Sequence, residues 1–197
     1  MTGLIGRPPH ALTMAFPAFL DACSLFSPTL TDTLLRIAEE GAFSPHWSQA
    51  VLDELRGAIV KSGVSDERVD RRIAQMSKAF PEAAVVGYGG LIDVMTCDPK
   101  DRHVLAAAVQ SRCAVLITFN VRHFPTASTE PFHLEAITPD AFLLDQLDLY
   151  PAMVHRALVG QVTVARRPPT TLGQLLGRLA RADVPAFAEE VRRREFG

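Results

Sequence analysis

Asp98-Pro-Lys-Asp-Arg-His-Val-Leu-Ala-Ala-Ala-Val-Gln-Ser-Arg-Cys-Ala-Val-Leu-Ile-Thr-Phe-Asn120 is the stretch that decides the fold. Its alanine-rich first half, to about Ser111, reads as a helix, and the apolar run at 114–118 reads as a buried strand. A strand with no polar face belongs in a parallel sheet covered on both sides. Upstream, residues 15–20 form a second such run, ending at Asp21. Between the two, Ser27-Pro28 opens a helix that Gly41 closes, and a short extended piece covers 42–44. Ser48 caps a helix to about Lys61, closed by Gly63, and Ser65-Asp66 begins another with Val69, Ile73, Met76 and Phe80 at helical spacing. Residues 84–86 are a brief strand before Gly87-Tyr-Gly-Gly90. Downstream, 134–137 is a strand, and Thr138-Pro139-Asp140 caps a helix carrying Phe142, Leu143 and Leu147. Alternating strands and helices predict an α/β fold with a central parallel sheet. No strand candidate follows Pro151; an Arg166-Arg-Pro-Pro169 linker precedes helical segments at 171–182 and 184–195. The expected division is a disordered extension over 1–13, an α/β domain over 14–148 and an all-helical extension over 149–197.

With 197 residues, 48% of them apolar, the chain can bury a sizeable core. No run approaches the roughly 18 apolar residues of a membrane span. Residues 1–13 hold Arg7, Pro8, Pro9 and His10 in place of a signal peptide's apolar core. Cys23, Cys97 and Cys113 lack zinc spacing and an even count, so they read as small buried thiols in a reducing cytoplasm. Cys23 and Cys97 nonetheless stand beside candidate acids. Net charge is −2, which gives no overall basic field. The tail differs: after Pro151 it carries eight Arg (156, 166, 167, 178, 181, 192, 193, 194) against four acids. That surface suits RNA or an acidic partner, or is simply a solvated helix face.

Asp21, directly after an apolar strand, sits at the mouth of the sheet, where open α/β folds bind ligands. Further acids recur at Glu54, Asp98 and Asp101. Acids gathered in one place repel each other unless a cation joins them. Hard divalent ions such as Mg²⁺ or Mn²⁺ prefer oxygen donors and activate water against phosphate esters. Each acid also has a plainer reading. Asp21 suits a turn, and Glu54 flanks the helix stripe Leu52, Leu55 and Ile59 as a solvated residue. Asp98 and Asp101 suit a capping box, with Asp98 at the cap, Pro99 first and Asp101 third. Both readings hold together if Asp101 ligates and Asp98 caps or supports. Thr118 and Asn120 end the later strand at the same sheet edge, Asn120 placing a water, ligating, or turning the chain. His123 is open between a phosphate contact, an acid–base group and a surface residue; His46 and His103 read as structural.

The order strand–Asp21, helix–Glu54, Asp98-Pro-Lys-Asp-Arg-His-Val-Leu-Ala-Ala-Ala108, then Leu116-Ile-Thr-Phe-Asn120 resembles the PIN domain. In particular it is similar to VapC-like toxin ribonucleases of bacterial toxin–antitoxin systems, over roughly residues 15–144. The helical tail resembles the C-terminal extension of one branch. The resemblance implies a three-layer α/β/α fold, an Mg²⁺ or Mn²⁺ site and endonucleolytic hydrolysis of RNA. It also implies a cognate antitoxin and a cytoplasmic homodimer. It places Asp21, Glu54, Asp101 and Asn120 in catalysis and Asp21, Glu54, Asp101 and Asp98 around metal, with Thr118 and His123 supporting. His123 departs from the pattern Asn-x-x-Asp-Phe of many relatives. The lost charge keeps open a catalytically degenerate module that binds RNA or protein. Other classes fit less well. A haloacid-dehalogenase-type phosphatase needs a second acid where Cys23 stands, and no glycine-rich dinucleotide fingerprint follows the first strand. The lack of paired His and Cys ligands argues against zinc.

Overall fold

In a computed structural model of the chain, which describes residues 15–165 and 171–196, short polar side chains open the helices. Ser27, Ser48 and Thr138 accept hydrogen bonds from the backbone N–H groups of Leu30, Val51 and Ala141. Each satisfies a donor that the first helical turn leaves without a partner. The elements run β1 (Phe16–Leu20), α1 (Pro28–Glu39), β2 (Phe43–Ser48), α2 (Gln49–Lys61), α3 (Asp66–Ala79) and β3 (Ala84–Val85). They continue with α4 (Arg102–Gln110), β4 (Val115–Ile117), α5 (Thr126–Thr129), β5 (Glu135–Ile137) and α6 (Pro139–Leu149). Helices α7 (Pro151–Thr163), α8 (Leu172–Ala180) and α9 (Pro185–Phe196) complete the chain. The expected extension over 1–13 and the linker beginning at Arg166 lie outside the described residues.

The five strands are all parallel, in the order β3-β2-β1-β4-β5. The chain therefore builds outward from β1 in one direction and, after α4, from β4 in the other. Adjacent strands β1 and β4 form the point where strand order reverses, and a crevice opens beyond their carboxyl ends. Register there is fixed by Leu20 opposite Ile117 and prolonged by the Asp21 N–H, which donates to the Ile117 carbonyl at 3.1 Å. Residue 21 and residue 118 thus leave the sheet side by side. Helices cover both faces in three layers, as the apolar strands require.

Strand β2 runs further than the extended piece read at 42–44, continuing through Pro45 to Ser48. Proline usually breaks a ladder because it has no N–H. Here β3 begins to pair only at Trp47, so that side makes no demand on Pro45. The capping box expected at Asp98 does not form. The helix starts at Arg102 with Asp101 as its cap residue, and neither carboxylate bonds to the helix N-terminus. Asp98 instead shapes the preceding turn, its Oδ1 accepting from the Lys100 N–H at 3.0 Å and its carbonyl from the Asp101 N–H at 2.9 Å. The Asp101 carboxylate is left to other partners.

One contiguous apolar cluster runs from Ala18 in β1 to Val191 in α9. In α4, Val104 through Ala108 are all fully buried, which the small alanines allow. Around β2, the Phe43 and Phe142 rings meet edge to face at 4.9 Å. Two polar contacts fasten the helical tail. Buried Gln161 of α7 accepts from the Thr33 hydroxyl at 2.8 Å and donates to the Thr29 carbonyl at 3.2 Å. Asp140 of α6 accepts from the Ala186 and Phe187 N–H groups at the start of α9, at 3.1 and 2.8 Å. Replacing Asp140 with Ala removes this cap and is expected to destabilise the protein by about 1 kcal/mol in urea unfolding. An unchanged midpoint would mean that the contact contributes nothing.

Candidate functional site

Each acid reaches the crevice from a different element. Asp21 arrives at the end of β1 and is buried at 4% exposure. Its Oδ1 accepts from the Ala22 N–H at 2.6 Å. Its Oδ2 accepts from the Thr118 hydroxyl at 2.6 Å and from the Cys23 thiol at 3.1 Å. A buried carboxylate needs such donors, and they fix its direction. Thr118 in turn accepts from the Asn120 N–H at 3.0 Å, and the Cys23 sulfur accepts from the Phe119 N–H at 3.3 Å. The ends of β1 and β4 are thereby locked together. Arg72 of α3 holds the loop after Asp21, donating to the carbonyls of Leu25 at 2.5 Å and Phe26 at 3.2 Å.

Glu54, midway along α2, is half exposed, with Oε1 3.2 Å from Nε2 of His103. That distance suits Coulombic attraction, but the angle does not make a hydrogen bond. Burial raises the Glu54 pKa; His103 opposes this, and the charges of Asp21 and Asp101 add to it. Asp101 accepts or shares a hydrogen bond with His123, its Oδ2 2.8 Å from Nδ1. The Asp98 N–H donates to the His123 carbonyl at 3.1 Å and binds the two loops together. Asp98, Asp101 and His123 each offer one ligand atom, all within 4.8 Å of one another.

A cleft of about 1030 Å³ brings Asp21, Glu54, Asp101 and Asn120 onto one surface. Thr118 lies beneath it and touches Asp21, while Asp98 and His123 stand behind Asp101. His103, read from the sequence as structural, faces Glu54 instead. Its place two residues after Asp101, at the helix start, was the available signal. Phe26 also lines the cleft and carries no signal in the sequence; Cys23, which the sequence marks only as standing beside an acid, and Arg178 and Arg181, marked only as part of a basic tail surface, line it as well.

Burial pushes the Cys23 thiol up to about 11, with the charge of Asp21 adding to the rise. Burial takes Cys113 to about 11, and burial together with the charge of Asp101 raises Cys97. Near neutral pH Cys23 is therefore a protonated donor to Asp21, and it reacts slowly because only the thiolate is a nucleophile. Alkylation of Cys23 by iodoacetamide at pH 7.5 should be at least about 100-fold slower in the folded protein than in urea. Labelling of Cys23 at the unfolded rate would contradict this.

Two family models match the chain. One, described as a PIN domain, covers residues 18–122; the other, described as a VapC50 C-terminal domain, covers residues 139–193. A Mycobacterium tuberculosis (strain ATCC 25618 / H37Rv) protein named "Putative ribonuclease VapC50" is 45% identical over 111 residues. That match spans 56% of this chain and 65% of the relative's length. No solved structure matches the chain.

Proposed function

This chain belongs to the PIN-domain family, and from that premise we propose that it is a divalent-metal-dependent endoribonuclease, the toxin of a type II toxin–antitoxin pair. What carries the reading is one observation: Asp21, Glu54, Asp101 and Asn120, from four separate segments, share a single cleft where the strand order reverses. The name of the Mycobacterium tuberculosis relative, "Putative ribonuclease VapC50", points the same way. An antitoxin that covers this cleft and a homodimer are the partners proposed with it.

The donor chemistry, carboxylates with one amide, suits a hard divalent ion. Among the described residues, the one trio with ligand atoms within 4.8 Å of one another is Asp98, Asp101 and His123, while Asp21 and Glu54 share only the cleft with Asp101. Asp101 stands between two groups: Asp21 and Glu54 on the cleft, and Asp98 with His123 behind it. Those residues would hold the metal, and their carboxylate-rich set suits Mg²⁺ or Mn²⁺. When bound, such an ion lowers the pKa of a water and neutralises charge gathering on the phosphate. The chain's own residues position the rest. Thr118, Cys23 and the Ala22 N–H aim Asp21, His123 anchors Asp101, and Asn120 at the cleft wall orients the attacking water. His103 faces Glu54 from α4 at 3.2 Å and keeps it directed inward.

The protein should cut RNA in Mn²⁺ and stop in excess EDTA, read on a panel of labelled RNAs. His123 in place of an acid favours one second reading, a binding module that does not cut. RNA binding with no cleavage in any divalent metal would select it.

Glu54 adds a pH signature in metal-free protein. Its folded pKa is raised, so its contribution to stability is present at low pH and is lost as pH rises through that value. Glu54→Gln should therefore melt at or above the wild-type temperature at pH 7.5, the gap closing near pH 4. The effect is small because the group is half exposed. A variant less stable at pH 7.5 than at pH 4, relative to wild type, would show the opposite sign.

A further inference from the structure

The cluster of acids in the cleft repels a polyanion, so cleavage of RNA here needs cations that the acids do not consume. The helical tail supplies them. Among its described arginines, Arg156 pairs with Glu40 at 2.7 Å, Arg192 with Glu189 at 3.1 Å and Arg193 with Glu190 at 2.5 Å. Arg194 bonds to Glu190 at 2.7 Å and also to Asp148. Arg178 and Arg181 differ. They are exposed, line the acid-bearing cleft, and make no ion pair with any described residue. Asp183 shares the cleft with them and is likewise unpaired among the described residues. On α8 and its C-cap the two arginines stand three residues apart, a spacing that puts both on one helix face. Leu175, Leu176 and Leu179 are buried on the other side of α8 and fix its orientation. Phe26 also lines the cleft, 43% exposed, on the loop that Arg72 holds.

We propose that Arg178 and Arg181 bind the backbone phosphates of unpaired RNA on either side of the bond to be cut, while Phe26 stacks a base, an inference that rests on the nuclease reading above. Guanidinium groups suit phosphate geometry, and an exposed aromatic beside a cationic track is how sequence-tolerant single-strand binding works. The substrate site is then built from two parts of the chain: acids from the sheet edge for chemistry, and arginines from the helical tail for grip.

The test compares anisotropy titrations of a labelled single-stranded RNA with full-length Asp101→Asn protein and with the same protein carrying Arg178→Ala and Arg181→Ala. Losing two phosphate contacts should weaken binding about 20-fold at 0.1 M salt and lower the salt slope by about 1.4. Arg178→Lys with Arg181→Lys should recover most of the slope, because it keeps the charge. Phe26→Ala should weaken binding while leaving the slope unchanged. In an otherwise wild-type chain, the alanine pair should raise KM with kcat retained. Unchanged affinity and slope in the alanine pair would overturn the inference, even if the wild-type protein cuts RNA. Arginine-dependent binding in a protein that never cuts would uphold the RNA grip and sink the nuclease reading instead.

Discussion

Asp101→Asn is expected to abolish RNA cleavage, lowering the rate at saturating Mn²⁺ by at least about 10³-fold, while leaving the fold as stable as before or more so. The size follows from the role: stabilising transition-state charge by a bound ion is worth several kcal/mol, and each 1.36 kcal/mol is tenfold in rate. Asp101 is the carboxylate common to both acid groupings, touching His123 at 2.8 Å and sharing the cleft with Asp21 and Glu54. Its side chain is only 17% exposed, so no solvent-side group replaces it. The amide keeps the shape and can still hydrogen-bond to His123. It also removes one of several mutually repelling charges, and so the thermal midpoint should hold or rise. Cleavage within tenfold of wild type would refute the assignment of Asp101.

Thr118→Val should damage both stability and turnover. Valine matches threonine in shape, so no cavity opens; what is lost is the 2.6 Å hydroxyl bond to Asp21 and the acceptor for the Asn120 N–H. Thr118 is fully buried, so water does not replace the missing partner. Leaving a buried polar group short of a partner costs about 1–3 kcal/mol. With Asp21 less firmly aimed, cleavage should fall about 10- to 100-fold, the usual penalty for removing a residue that orients a ligand. Thr118→Ser keeps the hydroxyl and should recover most of both losses. If Val retained full activity, the hydroxyl would have no part in aiming Asp21.

Much of the fold was legible because its signals are local. Ser27, Ser48 and Thr138 cap the helices they precede, and the apolar runs before Asp21 and Thr118 are the two strands at the heart of the sheet. From those two strands it follows, once the sheet is parallel, that Asp21 and Thr118 stand at the same sheet edge; that they meet comes from β1 and β4 being neighbours. What could not be read depends on distant contacts. The passage of β2 through Pro45 is tolerated because of where β3 begins to pair. Asp98-Pro-Lys-Asp101 has the composition of a capping box, but the His123 loop holds it as a turn with Asp101 facing the site. The place of His103 two residues after Asp101 puts it near the site, but only the tertiary arrangement of α4 and α2 brings it to Glu54. The spacing of Arg178 and Arg181 shows that they share a face, but only the docking of α8 on the body shows which surface that face meets.

A calorimetric titration of Mn²⁺ into the full-length protein bears most directly on the claim that separate segments build one divalent-ion site. Wild type should bind Mn²⁺ with a defined stoichiometry, and Asp21→Asn combined with Asp101→Asn should abolish the signal while both proteins remain folded. No saturable binding in wild type, or undiminished binding in the double variant, would contradict it.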